Sequence, residues 1–150
     1  MKIRRAARSD VPALVALLAD DVLGAQRERN EDPVPRCYYE AFDAIAADAN
    51  HELLVAEVEG RIVATLQLTF LPGLSRQGLW RAQIEGVRVS SRERGRRIGE
   101  LLVRHAIERA REEGCGLVQL TSDKRRKDAV RFYERLGFVA SHEGMKLALD

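Results

Sequence analysis

Residues 87–102 read VRVSSRERGRRIGELL, and this stretch decides the fold class. It starts at the end of a strand predicted over 79–90, passes through a basic turn, Arg92–Arg97, and enters a helix predicted over about 96–113. A short buried strand is predicted next, over Leu117–Leu120. A strand, a helix and a second strand in this order indicate a parallel pair joined by a right-handed crossover.

The flanking segments predict antiparallel strands and further helices. Glu59-Gly60 predicts a hairpin turn between strands over 53–56 and 62–71. The other predicted elements are a strand over 2–7, a helix over about 10–22 with Ser9 as its N-cap and Gly24 as its end, a loop over 24–36, a second helix from Tyr38 to about Asn50, a loop over 72–78, a fourth helix over 129–136 and a closing hairpin over 138–149. We therefore expect one domain, 1–150, of the α/β class (α+β type), with a mixed, mostly antiparallel sheet, one parallel βαβ pair and about four helices.

The composition narrows the class of protein. The 150 residues carry 25 Lys and Arg against 23 Asp and Glu, a formal net charge of +2. That balance argues against a nucleic-acid partner, while the basic clusters Arg92–Arg97 and Lys124–Lys127 still suit an anionic ligand. No apolar run reaches the roughly 18 residues of a membrane span. Cys37 and Cys115 form no CxxC pair and no histidine has a second ligand at metal spacing, so we expect a cytoplasmic protein with no metal and no membrane partner.

The basic turn and the start of the following helix form a candidate anion site. The first N–H groups of a helix lack intrahelical partners and carry partial positive charge. Gly95 and Gly99 permit close approach of a ligand to the backbone, and Arg94, Arg96 and Arg97 add full charges. These features suit a pyrophosphate. The alternative is a solvated basic turn at the end of a surface helix.

Two segments resemble motifs of the GNAT superfamily of acetyl-CoA-dependent N-acyltransferases. The segment RGRRIG, residues 94–99, is similar to its Arg/Gln-x-x-Gly-x-Gly/Ala coenzyme A signature, with Arg97 in place of the inner glycine. A side chain there must point away from the phosphates or contact them. The segment AVRFYERLGF, residues 129–138, is similar to the family's Ala-x-x-Phe-Tyr-Glu-x-x-Gly-Phe segment, and Arg126 stands where the family often has Asn. The element order matches too, so the resemblance covers nearly the whole chain and implies a GNAT-like fold.

The resemblance implies an enzyme that moves an acetyl group from acetyl-CoA, its co-substrate, to a primary amine by direct attack on the thioester. The acceptor is a small-molecule or peptide amine of unidentified structure, and by analogy with many family members the chain forms a homodimer. The cofactor-binding residues implied are Val87 and Val89, through main-chain bonds to the pantetheine arm, and Arg94, Gly95, Arg96, Arg97, Ile98, Gly99 and Glu100 around the pyrophosphate. The alternatives are a catalytically silent coenzyme A-binding sensor or regulatory module and, less in keeping with the charge balance, a small nucleic-acid-binding domain.

Glu85 is the candidate general base, because an amine must lose a proton before it attacks. With regular pairing its side chain shares the apolar face of the strand with those of Val87 and Val89, and partial desolvation there raises its pKa. A bulge at Gly86 would reverse that placement, since one extra residue changes the alternation of side chains. The alternative is a carboxylate paired with a neighbouring arginine, Arg81 or Arg88.

Tyr133 is the candidate general acid for the leaving thiolate, because it matches the tyrosine of the family's Phe-Tyr pair. Its spacing from Ala129 and Leu136 places it on the buried face of the predicted helix. A purely structural tyrosine occupies the same kind of position, so that alternative stays open.

The acceptor side is less defined in the sequence. Trp80, Tyr38 and Tyr39 are candidates to line an acceptor pocket, with core or interface packing as the alternative. A group of acidic residues suits a cationic acceptor, with a solvated acidic loop as the alternative. That acidic group consists of Asp20, Asp21, Glu28, Glu31 and Asp32.

Overall fold

The computed structural model describes residues 1–150, which cluster into two compact units, Met1–Gln119 and Leu120–Asp150. One five-stranded sheet runs in chain order, with antiparallel neighbours from β1 to β4 and with β5 parallel to β4. Its strands are β1 (Lys2–Arg5), β2 (His51–Val58), β3 (Arg61–Leu71), β4 (Arg81–Val89) and β5 (Leu117–Leu120). The predicted mixed sheet with one parallel pair is confirmed.

Six helices accompany the sheet, two more than predicted. They are α1 (Val11–Leu18), α2 (Val22–Arg27), α3 (Arg36–Ala47), the single turn α4 (Ser75–Gly78), α5 (Ile98–Glu112) and α6 (Ala129–Arg135). The turn α4 lies in the predicted loop 72–78, and its central residues Arg76 and Gln77 have left-handed backbone angles. None of the helices has the length and apolar character that crossing a bilayer requires.

The core of the first unit forms around β3, which is buried along nearly its whole length on both faces. A strand covered on both faces reads as a continuous apolar run rather than an alternating one. Helix α5 packs against β3 and β4, α1 packs against the same two strands, and α3 packs against β2. The predicted hairpin turn is confirmed, since Glu59 and Gly60 have φ angles of 51° and 77°, as tight hairpin turns require.

The first predicted helix, 10–22, is interrupted, and this prediction was wrong in three details. Helix α1 ends at Leu18, and a second helix, α2, begins at Val22 and extends to Arg27, inside the predicted loop 24–36. Gly24 lies within α2 rather than ending a helix. A glycine is needed at this position because a Cβ would lie 1.9 Å from the carbonyl oxygen of Leu18. Asp10, not Ser9, occupies the N-cap position of α1. The apolar spacing continues across the break, so periodicity alone does not reveal it.

The predicted closing hairpin over 138–149 is not formed. Helix α6 ends as expected, with Gly137 at a φ of 98°, but residues 138–150 contain no strand. Their alternating apolar residues have the period of a strand, and a strand also needs a neighbouring edge to complete its backbone hydrogen bonds. The sequence pattern specifies the alternation of apolar residues and does not specify a neighbouring sheet edge.

A buried ion cluster ties β2 to α5 within the first unit. The Glu52 side chain is 2% exposed and accepts hydrogen bonds from Arg109 at 3.0 and 2.5 Å and from Arg5 at 3.1 Å. Burial by itself raises the pKa of Glu52, but the hydrogen bonds and charges of Arg109 and Arg5 outweigh burial and hold that pKa below its ordinary value. The carboxylate therefore stabilises the fold when it is charged.

Glu52→Gln should lower the free energy of unfolding by about 3 kcal/mol at neutral pH, because it removes the one buried carboxylate that pairs with Arg109 and Arg5. The contribution is complete above the ordinary carboxyl pKa of 4.5 and is lost as the pH falls through the lowered folded pKa. The gap between variant and wild type should therefore narrow below pH 4.5 in urea unfolding series. Glu108→Gln, which removes an exposed pair with Arg111, is the matched control and should cost under about 1 kcal/mol. Equal losses in both variants would contradict a special role for Glu52.

Candidate active site

A β-bulge in β4 fixes the position of Glu85. Gln67 of β3 lies opposite Glu85 and Thr65 lies opposite Arg88, so the single residue Leu66 faces two residues of β4. Gly86, one of the two, has a φ of 62°, which glycine adopts without strain. The regular pairing expected from the sequence is thus interrupted, and the bulge alternative is the one found.

The bulge moves Glu85 off the apolar face, which corrects the expected partial burial. Glu85 is exposed, on the strand face opposite to Ala82 and Ile84, which are buried. The extra residue places Val89 on the other face from Glu85, opposite Ala64 of β3. The candidate base is therefore a carboxylate in contact with solvent.

Two glutamine amides orient the Glu85 carboxylate. Gln119 Nε2 of β5 donates to Gln83 Oε1 at 3.0 Å, and Gln83 Nε2 donates to Glu85 Oε1. Because the Gln83 oxygen is occupied by the first bond, its amide must turn its N–H group toward Glu85. These two hydrogen bonds connect β5, β4 and Glu85 Oε1. Glu85 Oε2 takes no part in them. The sequence analysis missed Gln83 and Gln119, whose contact depends on the alignment of two strands far apart in the chain.

The end of β4 has no β5 residue beside it. Gly116 N–H donates to the Trp80 carbonyl at 2.9 Å, and the Gln119 side chain donates to that of Gln83. The four-residue strand β5 therefore ends beside the middle of β4. Ser90 N–H donates to Val63 of β3 at 2.8 Å. Because main-chain groups point to alternate sides along a strand, those of Val89 point away from β3, toward the side that β5 does not reach. Val87, two residues earlier, has the same orientation where alternation resumes after the bulge.

The basic turn leads from this open strand end to the start of α5. Its four residues from Arg94 to Arg97 are exposed, whereas Ile98 is buried and anchors the helix in the core. The first hydrogen bond within α5 runs from Leu101 N–H to the Arg97 carbonyl. The amides of residues 98–100 therefore precede the helical ladder and are available to an anion. Ile98 can contribute only its backbone.

Arg97 adopts the backbone conformation that glycine takes most easily. Its φ of 61° and ψ of 18° lie in the left-handed region at the N-cap of α5. Its guanidinium folds back onto Glu100, with two hydrogen bonds of 2.9 Å, and Glu100 also accepts a bond from Arg104. These two arginines lower the pKa of Glu100 to about 2. The Arg97 side chain is thus bound to the helix surface, and its charge is matched by a neighbouring carboxylate.

Two carboxylates, those of Glu93 and Asp20, contact the basic turn and the residue Ser91 just before it. Glu93, with a side chain 6% exposed, lies 3.1 Å from Arg96 Nη1 and 3.7 Å from Arg61 of β3. Asp20, after α1, accepts hydrogen bonds from the backbone N–H and the hydroxyl of Ser91. The sequence analysis placed Asp20 in the acidic group that suits a cationic acceptor and assigned no role to Glu93. A single acid between Arg92 and Arg94 was a signal for Glu93, since a carboxylate among arginines favours ion pairing.

Tyr133 belongs to the second unit, on α6. Its ring contacts Phe132 at 5.0 Å and Phe138 at 5.7 Å between centroids, both edge-to-face. The side chain is half-buried, and no residue of α6 is fully buried. The burial of this helix face is therefore smaller than the sequence analysis predicts. The Lys124–Lys127 cluster lies in the same unit, where Arg125 pairs with Asp123 and Lys124 lies 4.0 Å from Glu143.

The three aromatic residues expected near the acceptor have different surroundings. Tyr39 lines a pocket of about 490 Å³ beside the start of α1. The Tyr38 hydroxyl accepts from Arg29 N–H and donates to Glu28, each at 2.9 Å, and Trp80 is partly exposed. The pocket is lined by Pro12, Asn30, Glu31, Asp32, Pro33, Val34 and Tyr39.

Most of the acidic group over 20–32 has local partners. Asp21 accepts from Gly24 N–H and caps α2, and Glu31 pairs with Arg29 at 3.0 Å. Together with the bonds of Asp20 and Glu28, these contacts favour a locally paired acidic loop over a site for a cation. No three His, Cys, Asp or Glu side chains group together as metal ligands would.

Comparison with known proteins gives a consistent set of relatives. Residues 19–138 match the family model described as Acetyltransferase (GNAT) family. Aminoalkylphosphonate N-acetyltransferase of Salmonella typhimurium is 29% identical over 94% of this chain and 86% of its own. Glucosamine 6-phosphate N-acetyltransferase 1 of rice (Oryza sativa) is 33% identical over 77% of this chain and 72% of its own. A solved structure from Bacillus halodurans, described as a transcriptional regulator, is 56% identical, covers 99% of both chains and has a TM-score of 0.97.

Arg97→Gly should raise the free energy of unfolding by up to about 1 kcal/mol, because it removes a left-handed non-glycine residue. It should change the affinity for acetyl-CoA by less than about twofold, since Glu100 already neutralises the Arg97 charge. Arg94→Ala is the contrasting variant, because Arg94 is exposed and has no ion-pair partner, and it should weaken binding about tenfold. Thermal unfolding and calorimetric titration measure the two effects. A large loss of affinity in Arg97→Gly would show that its side chain contacts the ligand.

Proposed function

Since this chain belongs to the acetyltransferase (GNAT) family, we propose that it transfers an acetyl group from acetyl-CoA to a primary amine of a small molecule. The observation that carries the proposal is the edge of β4 that β5 does not reach, followed by the amides at the start of α5 that precede its first helical hydrogen bond. Main-chain groups of Val87 and Val89 face the side that β5 does not reach, and the amides of residues 98–100 follow across an exposed basic turn.

These residues fit successive parts of acetyl-CoA, first the pantetheine arm and then the pyrophosphate. Val89 offers a main-chain donor and acceptor to the amides of the pantetheine arm, and Val87 offers its N–H, because its carbonyl accepts from Arg88 Nη1 at 2.8 Å. The amides of Ile98, Gly99 and Glu100, with Gly95 and the guanidinium groups of Arg94 and Arg96, receive the pyrophosphate. Arg97 contributes its backbone to this turn, while its side chain and that of Glu100 stay paired with each other. When bound, acetyl-CoA supplies an acyl carbon activated by its thioester.

Glu85 is the proposed general base. The amine nitrogen forms a bond to the acyl carbon and the carbon–sulfur bond breaks, so one proton must leave the nitrogen and one must reach the sulfur. Gln83 occupies Glu85 Oε1, and Oε2 remains to take the proton of the amine, directly or through water. Tyr133 is the proposed donor of the proton to the thiolate, as the resemblance of its segment implies.

The acceptor we propose is a small primary amine. Two curated relatives are named for an aminoalkylphosphonate and for glucosamine 6-phosphate as acceptors. Each of these compounds carries an amine and a phosphorus oxyanion, so amines of that kind form the first panel to assay. The paired state of the acidic loop, described above, gives no support to a strongly cationic acceptor.

One observation favours a second candidate function. The Bacillus halodurans protein, 56% identical, is described as a transcriptional regulator. A coenzyme A-binding sensor without turnover would keep the basic turn and lack a working base. Turnover of any amine in the panel favours the enzyme, and saturable acetyl-CoA binding without turnover favours the sensor.

Gly99→Asp should abolish acetyl-CoA binding in calorimetric titration, because a carboxylate at the second position of α5 occupies and repels the phosphate site. Wild type should bind saturably and prefer acetyl-CoA to dephospho-coenzyme A and to ATP. Gly60→Asp in the β2–β3 turn is the charge-matched control, since nothing lies within 4 Å of a Cβ there and Asp tolerates the left-handed φ of 77° better than most residues. Unchanged affinity in Gly99→Asp would refute the proposed phosphate site.

Glu85→Gln should remove the rise of kcat/KM with pH that a carboxylate base produces, and should lower kcat at neutral pH about 100-fold. Acetyl-CoA affinity should stay within about twofold, because Glu85 lies outside the basic turn. Glu59→Gln, another exposed glutamate, is the control and should leave the profile intact. A Glu85→Gln profile equal to that of wild type would move the base to another group or to solvent.

Tyr133→Phe should lower kcat at least tenfold and leave acetyl-CoA affinity almost unchanged, because it removes the hydroxyl proton while keeping the ring contacts with Phe132 and Phe138. Tyr38→Phe removes a hydroxyl bonded to Glu28 instead and serves as the control. Steady-state kinetics and calorimetry separate the two effects. Equal turnover in Tyr133→Phe and wild type would exclude the tyrosine from proton transfer.

A further inference from the structure

One face of β4 carries a row of polar side chains that leads to Glu85. Ala82 and Ile84 are buried, so the alternating residues Arg81, Gln83 and Glu85 share the opposite face of the strand. The bulge lies beyond Glu85, and the pairing of these five residues with β3 is regular. The guanidinium of Arg81 and the carboxylate of the candidate base therefore belong to one continuous surface.

Arg81 is a half-buried cation for which the chain supplies no counter-charge. It forms no ion pair and no side-chain hydrogen bond with other residues. The half-buried Arg4 and Arg109, by contrast, each bind at least two carboxylates. Partial burial withdraws water from a guanidinium, and this costs free energy that a bound anion would offset.

The position of Arg81 separates it from the basic turn. Arg81 precedes Glu85 by four residues, whereas the basic turn, Arg92–Arg97, follows the end of β4. Arg88, the other arginine on this face, lies opposite Thr65 beyond the bulge and donates through Nη1 to the Val87 carbonyl. An anion at Arg81 would therefore be distinct from the phosphates of acetyl-CoA.

The surface beside this row is polar as well. Gln67 of β3 lies opposite Glu85, and Thr69 lies opposite Gln83. The Thr69 hydroxyl lies 3.0 Å from His51 Nδ1, so this polar surface extends from β4 to β2. An apolar acceptor would cover amide and hydroxyl groups without replacing their hydrogen bonds to water. The surface thus favours a polar acceptor.

We propose that Arg81 binds a phosphate or phosphonate group of the acceptor while the acceptor amine lies at Glu85. This inference rests on the proposed function and assigns a specificity-determining residue to it. Residues four apart along a strand lie about 13 Å apart, and the long side chains of Arg81 and Glu85 shorten the gap between their charged ends. A guanidinium presents paired N–H donors that match two oxygens of such an anion. Both charges of the acceptor then meet opposite charges of the chain.

Matched pairs of amines test the role of the anion in turnover. Glucosamine 6-phosphate is compared with glucosamine, and 3-aminopropylphosphonate with 3-amino-1-propanol. In wild type, kcat/KM should be about tenfold or more higher for the anionic member of at least one pair. Arg81→Ala should lower this ratio about tenfold or more, chiefly through KM. Arg81→Lys should give an intermediate ratio, because lysine keeps the charge and loses the paired donors.

Arg76→Ala is the matched control, since Arg76 is an exposed arginine of α4. It should keep the wild-type ratio. A wild type that prefers the anionic member of neither pair, or a ratio that falls equally in Arg76→Ala and Arg81→Ala, would overturn the proposal and leave the acetyltransferase activity standing.

A binding measurement separates this proposal from the proposed function. Glucosamine 6-phosphate and 3-aminopropylphosphonate are titrated calorimetrically into the full chain with coenzyme A present, so that no acetyl group can be transferred. Saturable binding of at least one of them should weaken about tenfold or more in Arg81→Ala and change less than about twofold in Arg76→Ala. Such binding without turnover of any amine would support the anion site and refute the acetyltransferase activity. Binding of neither compound to wild type, or equal affinity in Arg81→Ala and wild type, would overturn the anion site.

Discussion

The hydrogen-bond pattern of β4 is the constraint on which the rest of the site depends. This strand pairs with β3 over almost its full length, while β5 accompanies it only as far as the region of Gln83. Backbone groups that no strand satisfies must find other partners or remain in water. The bulge at Gly86 then turns Glu85 out of the core at the point where the pairing with β5 runs out. The bulge thus explains the exposure of the candidate base Glu85, and the short length of β5 explains the open edge of β4 beside it.

Carboxylates determine which arginines of the basic turn remain available to a ligand. Glu100 binds Arg97 and Arg104, and the buried Glu93 lies beside Arg96. Arg94, without such a partner, keeps its full charge for an anion. The backbone N–H groups at the start of α5 supply the remaining attraction, and they require no side chain at all. Under the proposed function, a turn with four arginines would therefore bind its anion chiefly through backbone N–H groups and through one or two of the arginine charges.

The two outer strands of the sheet differ in composition. Cationic residues protect β1, whereas β5 is short and uncharged. The same β5 supplies Gln119, which orients Gln83 and through it Glu85.

The sequence by itself determined the elements whose signals are local. The Glu59-Gly60 turn, the helix α5 and the parallel strand β5 follow from neighbouring residues, and the segment 94–99 carried the cofactor motif. Only the tertiary structure decided what depends on distant contacts. Gly24 is explained by the Leu18 carbonyl, the exposure of Glu85 by a register shift against β3, and the contact of Gln83 with Gln119 by parallel alignment. Residues 138–150 show the same limit, since their alternation predicts a strand but strand pairing depends on an edge elsewhere in the fold.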